Sequence, residues 1–108
     1  MLKTAYKETE HAELKEAVEK LVTEYGPIKK IILFGSQARG QVDSYSDTDL
    51  IVIKEMDKSF VARQASLPFL PLPADVFVYT PQEFELMQKN ENPFIINALS
   101  SSRVLYPL

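Results

Sequence analysis

Cysteine is absent from the sequence and histidine occurs once, at His11. The first absence removes disulfides, thiolate nucleophiles and cysteine-type zinc sites together, and the second removes most histidine-based metal or triad schemes. His11 has no partner residue nearby that would make it a ligand or a base, so it reads as a solvated surface histidine at the start of a helix. No apolar run approaches the roughly 20 residues of a membrane-spanning helix. The N-terminal MLKTAYKETEHAELKE lacks the hydrophobic core of a signal peptide, so a cytoplasmic location with no membrane partner is expected. The formal net charge of −3 argues against direct nucleic-acid binding, which needs a basic surface to displace counterions. Two familiar phosphate loops are also missing, since neither G-x-G-x-x-G nor G-x-x-x-x-G-K-[ST] occurs. The chemistry that remains open to this chain uses carboxylates.

Composition is otherwise ordinary for a folded protein, at 45% hydrophobic and 25% charged residues, which excludes disordered and fibrous classes. A length of 108 residues suits one small domain with one core, 1–108. Leu14, Val18, Leu21, Val22 and Tyr25 recur at helical spacing and predict a helix from about Thr9 to Tyr25, stopped by Gly26-Pro27. A first strand is expected over Ile28 to Phe34 and a second over Thr48 to Lys54, both apolar enough to be buried on two faces. Ser59 to Ser66 reads as a short capped helix, and LPFLPLP from Leu67 to Pro73 as an extended connector, because its prolines exclude a helix interior or a central strand. Asp75 to Tyr79 alternates as a third strand. Thr80, Pro81 and Glu83 form a capping-box start for a helix with Phe84 and Met87 as its buried stripe. A further helix from about Pro93 to Leu99 is expected to bury Phe94, Ile95 and Leu99, with Arg103 to Tyr106 as an edge strand. Phe77, Tyr79, Phe84 and Phe94 read as core aromatics.

The stretch Gly35 to Ile53, GSQARGQVDSYSDTDLIVI, joins the first two strands and carries the candidate site. Asp47 and Asp49 stand two apart, so on a strand their carboxylates project to one side while Thr48 points away. Two carboxylates held that close repel each other unless a divalent cation lies between them, and hard oxygen ligands suit Mg²⁺ with substrate phosphates. Gly35 permits a tight turn and a close backbone approach, and Ser36 with the following amides could open a short helix over Gln37 to Gln41 whose N-terminus faces an anion. Arg39, three residues after Ser36, could reach the same phosphate or brace the turn against Asp43 or Asp47. Asp75 opens the third strand as Asp47 and Asp49 open the second. If those strands are neighbours, three carboxylates converge beside the Gly35-Ser36 turn, the equipment of two-metal phosphoryl or nucleotidyl transfer with metals roughly 3.5–4 Å apart. Asp75 would then be the base toward an acceptor hydroxyl. Singly, Gly-Ser and Asp-rich turns are common punctuation. Their coincidence at the ends of apolar strands is what points to a site.

Taken together, Gly35-Ser36-Gln37-Ala38-Arg39-Gly40, Ser46-Asp47-Thr48-Asp49-Leu50 and the later Asp75 resemble the minimal nucleotidyltransferases of the DNA polymerase beta superfamily. The resemblance runs from the leading helix to the closing Val104-Leu105-Tyr106 strand. It implies an α/β (α+β) fold, a small mixed sheet flanked by helices in a polymerase-beta-like palm. It also implies that Asp47, Asp49 and Asp75 bind two Mg²⁺ ions, and that Gly35 and Ser36, with Arg39, hold the triphosphate of ATP or another NTP. Family members often pair with a helical HEPN-domain toxin, which the nucleotidyltransferase neutralises by binding or by transferring AMP to a tyrosine.

The expected activity is therefore Mg²⁺-dependent transfer of NMP, AMP from ATP foremost, to a hydroxyl with release of pyrophosphate. A palm of this size has no lobe to cradle a small acceptor, so the acceptor is expected on a partner chain, with Leu67 to Pro73 and the C-terminal strand as contact surfaces. Two rivals are a binding-only antitoxin and a standalone transferase for a small molecule such as an aminoglycoside. The three mutually repelling carboxylates favour the enzyme.

Overall fold

In the computed structural model, which describes residues 2–35, 38 and 48–107 and side chains from residue 12 onward, the chain runs α1 (Leu2–Glu24), β1 (Lys30–Phe34), β2 (Thr48–Ile53), α2 (Phe60–Ala65), β3 (Ala74–Tyr79), α3 (Pro81–Lys89), α4 (Pro93–Leu99) and β4 (Ser102–Tyr106). The side chain of His11, the residues Ser36, Arg39 and Asp47, and the short helix expected over Gln37 to Gln41 lie outside the described residues. The sheet is mixed, in the order β3-β2-β1-β4. β1 pairs antiparallel with β2 and β4, and β3 lies parallel to β2. Parallel neighbours need a crossover, and residues 54–73 with α2 supply it.

Alternation along the strands sorts the core into two layers. Ile31, Leu33, Leu50, Val52, Val76 and Val78 face α1, where Leu21 and Tyr25 complete the cluster. Ile32, Phe34, Ile51 and Ile53 face Ile95 and Ala98 of α4, with Phe77, Tyr79, Phe84 and Met87 packed around them. β1 and β2 are thus covered on both faces, which is why they read as unbroken apolar runs. Three expectations need correction. α1 begins at Leu2 rather than near Thr9, because apolar periodicity marks only the buried stretch of a helix, and no breaker precedes it. α4 buries Ile95 and Ala98, whereas Phe94 is 37% exposed and Leu99 lies at the margin. No residue of α3 is fully buried, so Phe84 and Met87 flank the core rather than enter it.

The ends of the strands remote from Asp49 and Asp75 are tied by charged groups. Lys54 follows β2 and is buried, its Nζ donating to the Tyr25 carbonyl at the end of α1 and lying 4.1 Å from the centre of the Tyr25 ring. A cation there complements the helix C-terminus. Burial, and secondarily Lys58, holds its amine below the usual lysine range. Arg63 of α2, 6% exposed, donates through Nε to the Lys58 carbonyl at 2.8 Å and through Nη1 and Nη2 to the two Glu83 carboxylate oxygens at 2.6 and 3.1 Å. Glu83 is also the third residue of α3, where Thr80 and Glu83 form the capping box read from the sequence. One ion pair therefore joins α2 to the start of α3.

Arg63→Ala removes a bidentate charged pair and leaves the buried Val78 carbonyl without its donor, and is expected to cost about 2–3 kcal/mol. In a domain of this size that lowers the thermal midpoint by roughly 10–20 °C, readable by circular dichroism. Acid acts on the same pair. The hydrogen bond from Arg63 is the main reason the Glu83 carboxyl is held below its ordinary range, against an opposing effect of burial. A depressed carboxylate contributes stability that is present above its unfolded pKa and lost as pH falls through its folded value. Stability should accordingly decline below about pH 4.5, the ordinary value of this group, and the decline should be shallower in Glu83→Gln, measured by urea unfolding across pH 3–6.

Candidate active site

Asp49 and Asp75 are direct partners in the parallel β2–β3 register. Strand neighbours lie about 4.8 Å apart and side chains alternate, so both carboxylates project from the α4 side of the sheet. In the antiparallel pairing on the other flank, Asp49 stands opposite Phe34, which stands opposite Ser102. The convergence that depended on the two strands being neighbours is therefore present for Asp49 and Asp75. Asp47, Ser36 and Arg39 are outside the described residues, and among the described residues no group of three metal-ligating side chains occurs.

Gly35 ends β1 with φ +79°, a backbone region that side chains with a Cβ avoid. A Cβ placed on Gly35 would lie 2.6 Å from Oδ2 of Asp49 and 3.6 Å from its Cγ. The close approach that Gly35 permits is thus in part that of the Asp49 carboxylate. This contact was not legible in the sequence, where Gly35 suggested only a turn and a phosphate approach. Its only signal was a glycine at the end of a strand expected to lie near the aspartates.

An aromatic cluster backs the pair. The Phe34 and Phe94 rings meet edge to face at 5.7 Å, and Phe77 lies 5.0 Å from Phe94 and 6.0 Å from Phe34. Phe34 is the register partner of Asp49, and Phe77 follows Asp75 by two residues on the same face. An apolar floor lowers the local dielectric and strengthens every charge interaction above it. Phe94 had been read as core, yet it is the exposed outer member. Tyr79, whose hydroxyl is pushed up by burial and secondarily by Glu83, sits four residues from Asp75, about 13 Å along the strand.

On its outer side Asp75 lines an open groove of about 800 Å³ walled by the connector, with Leu67, Phe69, Leu70 and Leu72 among its lining. Phe69 is 85% exposed. Among the described residues no helix is long and apolar enough to cross a membrane.

A four-stranded mixed sheet carrying two carboxylates in register beside a glycine turn, with helices against it, has the layout of a nucleotidyl-transfer palm. Residues 12–106 match the family described as nucleotidyltransferase domain, and the chain belongs to that family, as a minimal nucleotidyltransferase with a polymerase-beta-like fold. The Methanocaldococcus jannaschii protein named "Putative protein adenylyltransferase MJ0604" is 37% identical over 99 residues, covering 90% of this chain and 98% of its own. A second protein of that organism, "Putative protein adenylyltransferase MJ1305", is 32% identical over 103 residues, covering 86% of this chain and 69% of its own.

Proposed function

We propose that this nucleotidyltransferase moves AMP from ATP to a hydroxyl on a protein, with Asp49, Asp75 and Asp47 as its catalytic carboxylates. The register pairing of Asp49 with Asp75 beside Gly35 carries the reading, and the names of both relatives favour a protein as acceptor. The donor set consists of hard carboxylate oxygens, which fits Mg²⁺, held by Asp47, Asp49 and Asp75. Such an ion, when bound, offsets the charge of the triphosphate and of the developing oxyanions. Gly35 and Ser36, with Arg39, would cradle the triphosphate.

The acceptor oxygen attacks the α-phosphorus of ATP and forms the new P–O bond. The bond from that phosphorus to the bridging oxygen breaks, and pyrophosphate leaves with the electron pair. The hydroxyl proton passes to the exposed carboxylate of Asp75 and then to solvent. Asp49, behind Asp75 and against Gly35, orients the reacting phosphate end.

The acceptor we favour, from the family resemblance, is a tyrosine of a HEPN-domain toxin, which would make this chain the antitoxin. Co-expression with the neighbouring gene product, followed by peptide mass spectrometry, tests it. An adduct of about 329 Da on a partner tyrosine, the mass of AMP less one water, supports the reading. A tight complex whose partner carries no adduct leaves masking by binding as the better account.

A further inference from the structure

β3 is the outer strand, and its residues divide cleanly. Thr48 N–H donates to the Pro73 carbonyl and Lys54 N–H to the Tyr79 carbonyl, so the odd-numbered residues pair with β2 and Ala74, Val76 and Val78 turn their backbone groups outward. The upper half of that edge is already covered. Nε2 of Gln64 donates to the Val76 carbonyl at 2.6 Å, its Oε1 accepts from Val78 N–H at 3.3 Å, and Nη1 of Arg63 donates to the Val78 carbonyl at 3.4 Å. The Gln64 amide thereby imitates the peptide group of an adjacent strand. Below it, among the described residues, the N–H and C=O of Ala74 and the N–H of Val76 have no protein partner. This open stretch lies in the groove walled by Leu67, Phe69, Leu70 and Leu72, where Asp75 is the one charged lining residue among the described residues.

We infer that the acceptor enters as an extended, uncharged polypeptide segment that adds to the free edge of β3, held by the backbone of Ala74 and Val76 and by the apolar connector. This rests on the transfer reading and narrows its acceptor. The groove is continuous with the carboxylate pair through Asp75. A strand added there places the side chain opposite Asp75 on the same sheet face, within about 5 Å of it, so a hydroxyl at that position meets its base. Backbone hydrogen bonds give such strand addition its affinity, and alternate side chains give its selectivity. A helical surface would leave the three edge groups unpaired, and a free hydroxy compound would use neither them nor the connector.

The probe is a nonapeptide with a central tyrosine between valine and leucine residues, incubated with the full chain, α-labelled ATP and Mg²⁺. A series N-methylated at one backbone position each, and N-acetyltyrosine amide, are run alongside. Label on the peptide should fall about tenfold on losing a hydrogen bond, at the one N-methyl position whose N–H would meet the Ala74 carbonyl, with the amide labelled poorly. Ala74→Pro removes one outward N–H at the first position of an edge strand, where proline is tolerated, and should lower peptide labelling similarly. Should that variant not fold, the N-methyl series decides alone. Equal labelling of all N-methyl peptides, or of the amide and the peptide, overturns the inference. So does the absence of label on any peptide when wild type binds MgATP and Asp49→Asn does not, which leaves the transfer reading standing. Loss of MgATP binding in both would instead remove that reading and this one with it.

Discussion

Asp49→Asn is expected to lower nucleotidyl transfer about a hundred- to a thousandfold, the usual effect of deleting one charge-stabilising group from a reacting centre. The substitution keeps the shape of the side chain and the β2 ladder on both flanks, so the far-UV spectrum and the cooperative melt should persist. It also relieves the repulsion between two carboxylates in register. Asp75→Asn should fall comparably, because the base toward the acceptor is lost. The double variant should be little worse than either single one, since residues that act as a unit do not contribute additively. Initial rates with labelled ATP over a range of acceptor concentrations separate the two roles. Loss at Asp49 should persist at saturating acceptor and ATP.

Gly35→Ala should damage the enzyme through its geometry. At φ +79° an alanine costs about 1–2 kcal/mol of backbone strain, lowering the melting midpoint by roughly 4–12 °C. The new methyl would also lie 2.6 Å from Oδ2 of Asp49, far inside contact distance, so the carboxylate must move. Displacement of a reacting group by about 1 Å can cost a hundredfold in rate. Transfer should therefore drop by about that factor at a temperature where the variant is still folded. A variant that melts lower yet transfers at the wild-type rate would show that the Gly35–Asp49 contact is not needed for catalysis.

Much of the architecture was legible because local chemistry agreed with the global fold. The double-sided burial of β1 and β2 shows directly as uninterrupted apolar runs, and the Thr80–Glu83 capping box and the Ser59 cap of α2 are residue-specific signals. The strand neighbours and their register were not legible, since nothing in a single strand names its partner. The pairing of Asp49 with Asp75 could be stated only as a condition. Burial in α4 was misjudged for a related reason. Its turn is anchored through Ile95 and Ala98, and Phe94 leans across Phe34 and Phe77 instead of entering the layer. Gln64 gave no signal at all, because capping the edge of β3 depends on where α2 lands. At the site, the carboxylates and Gly35 were identified as residue types at strand ends. What the sequence did not reveal is that Gly35 leaves room for Asp49.

The most direct test follows the α-phosphate. Wild type and Asp49→Asn are incubated with Mg²⁺, the neighbouring gene product and ATP labelled either at the α- or at the γ-phosphate. Transfer of α-label to protein with release of pyrophosphate, absent with γ-label and lost in Asp49→Asn, is the predicted result. Transfer of γ-label, or α-label that appears equally with both chains, would contradict the assignment of nucleotidyl transfer to this carboxylate pair.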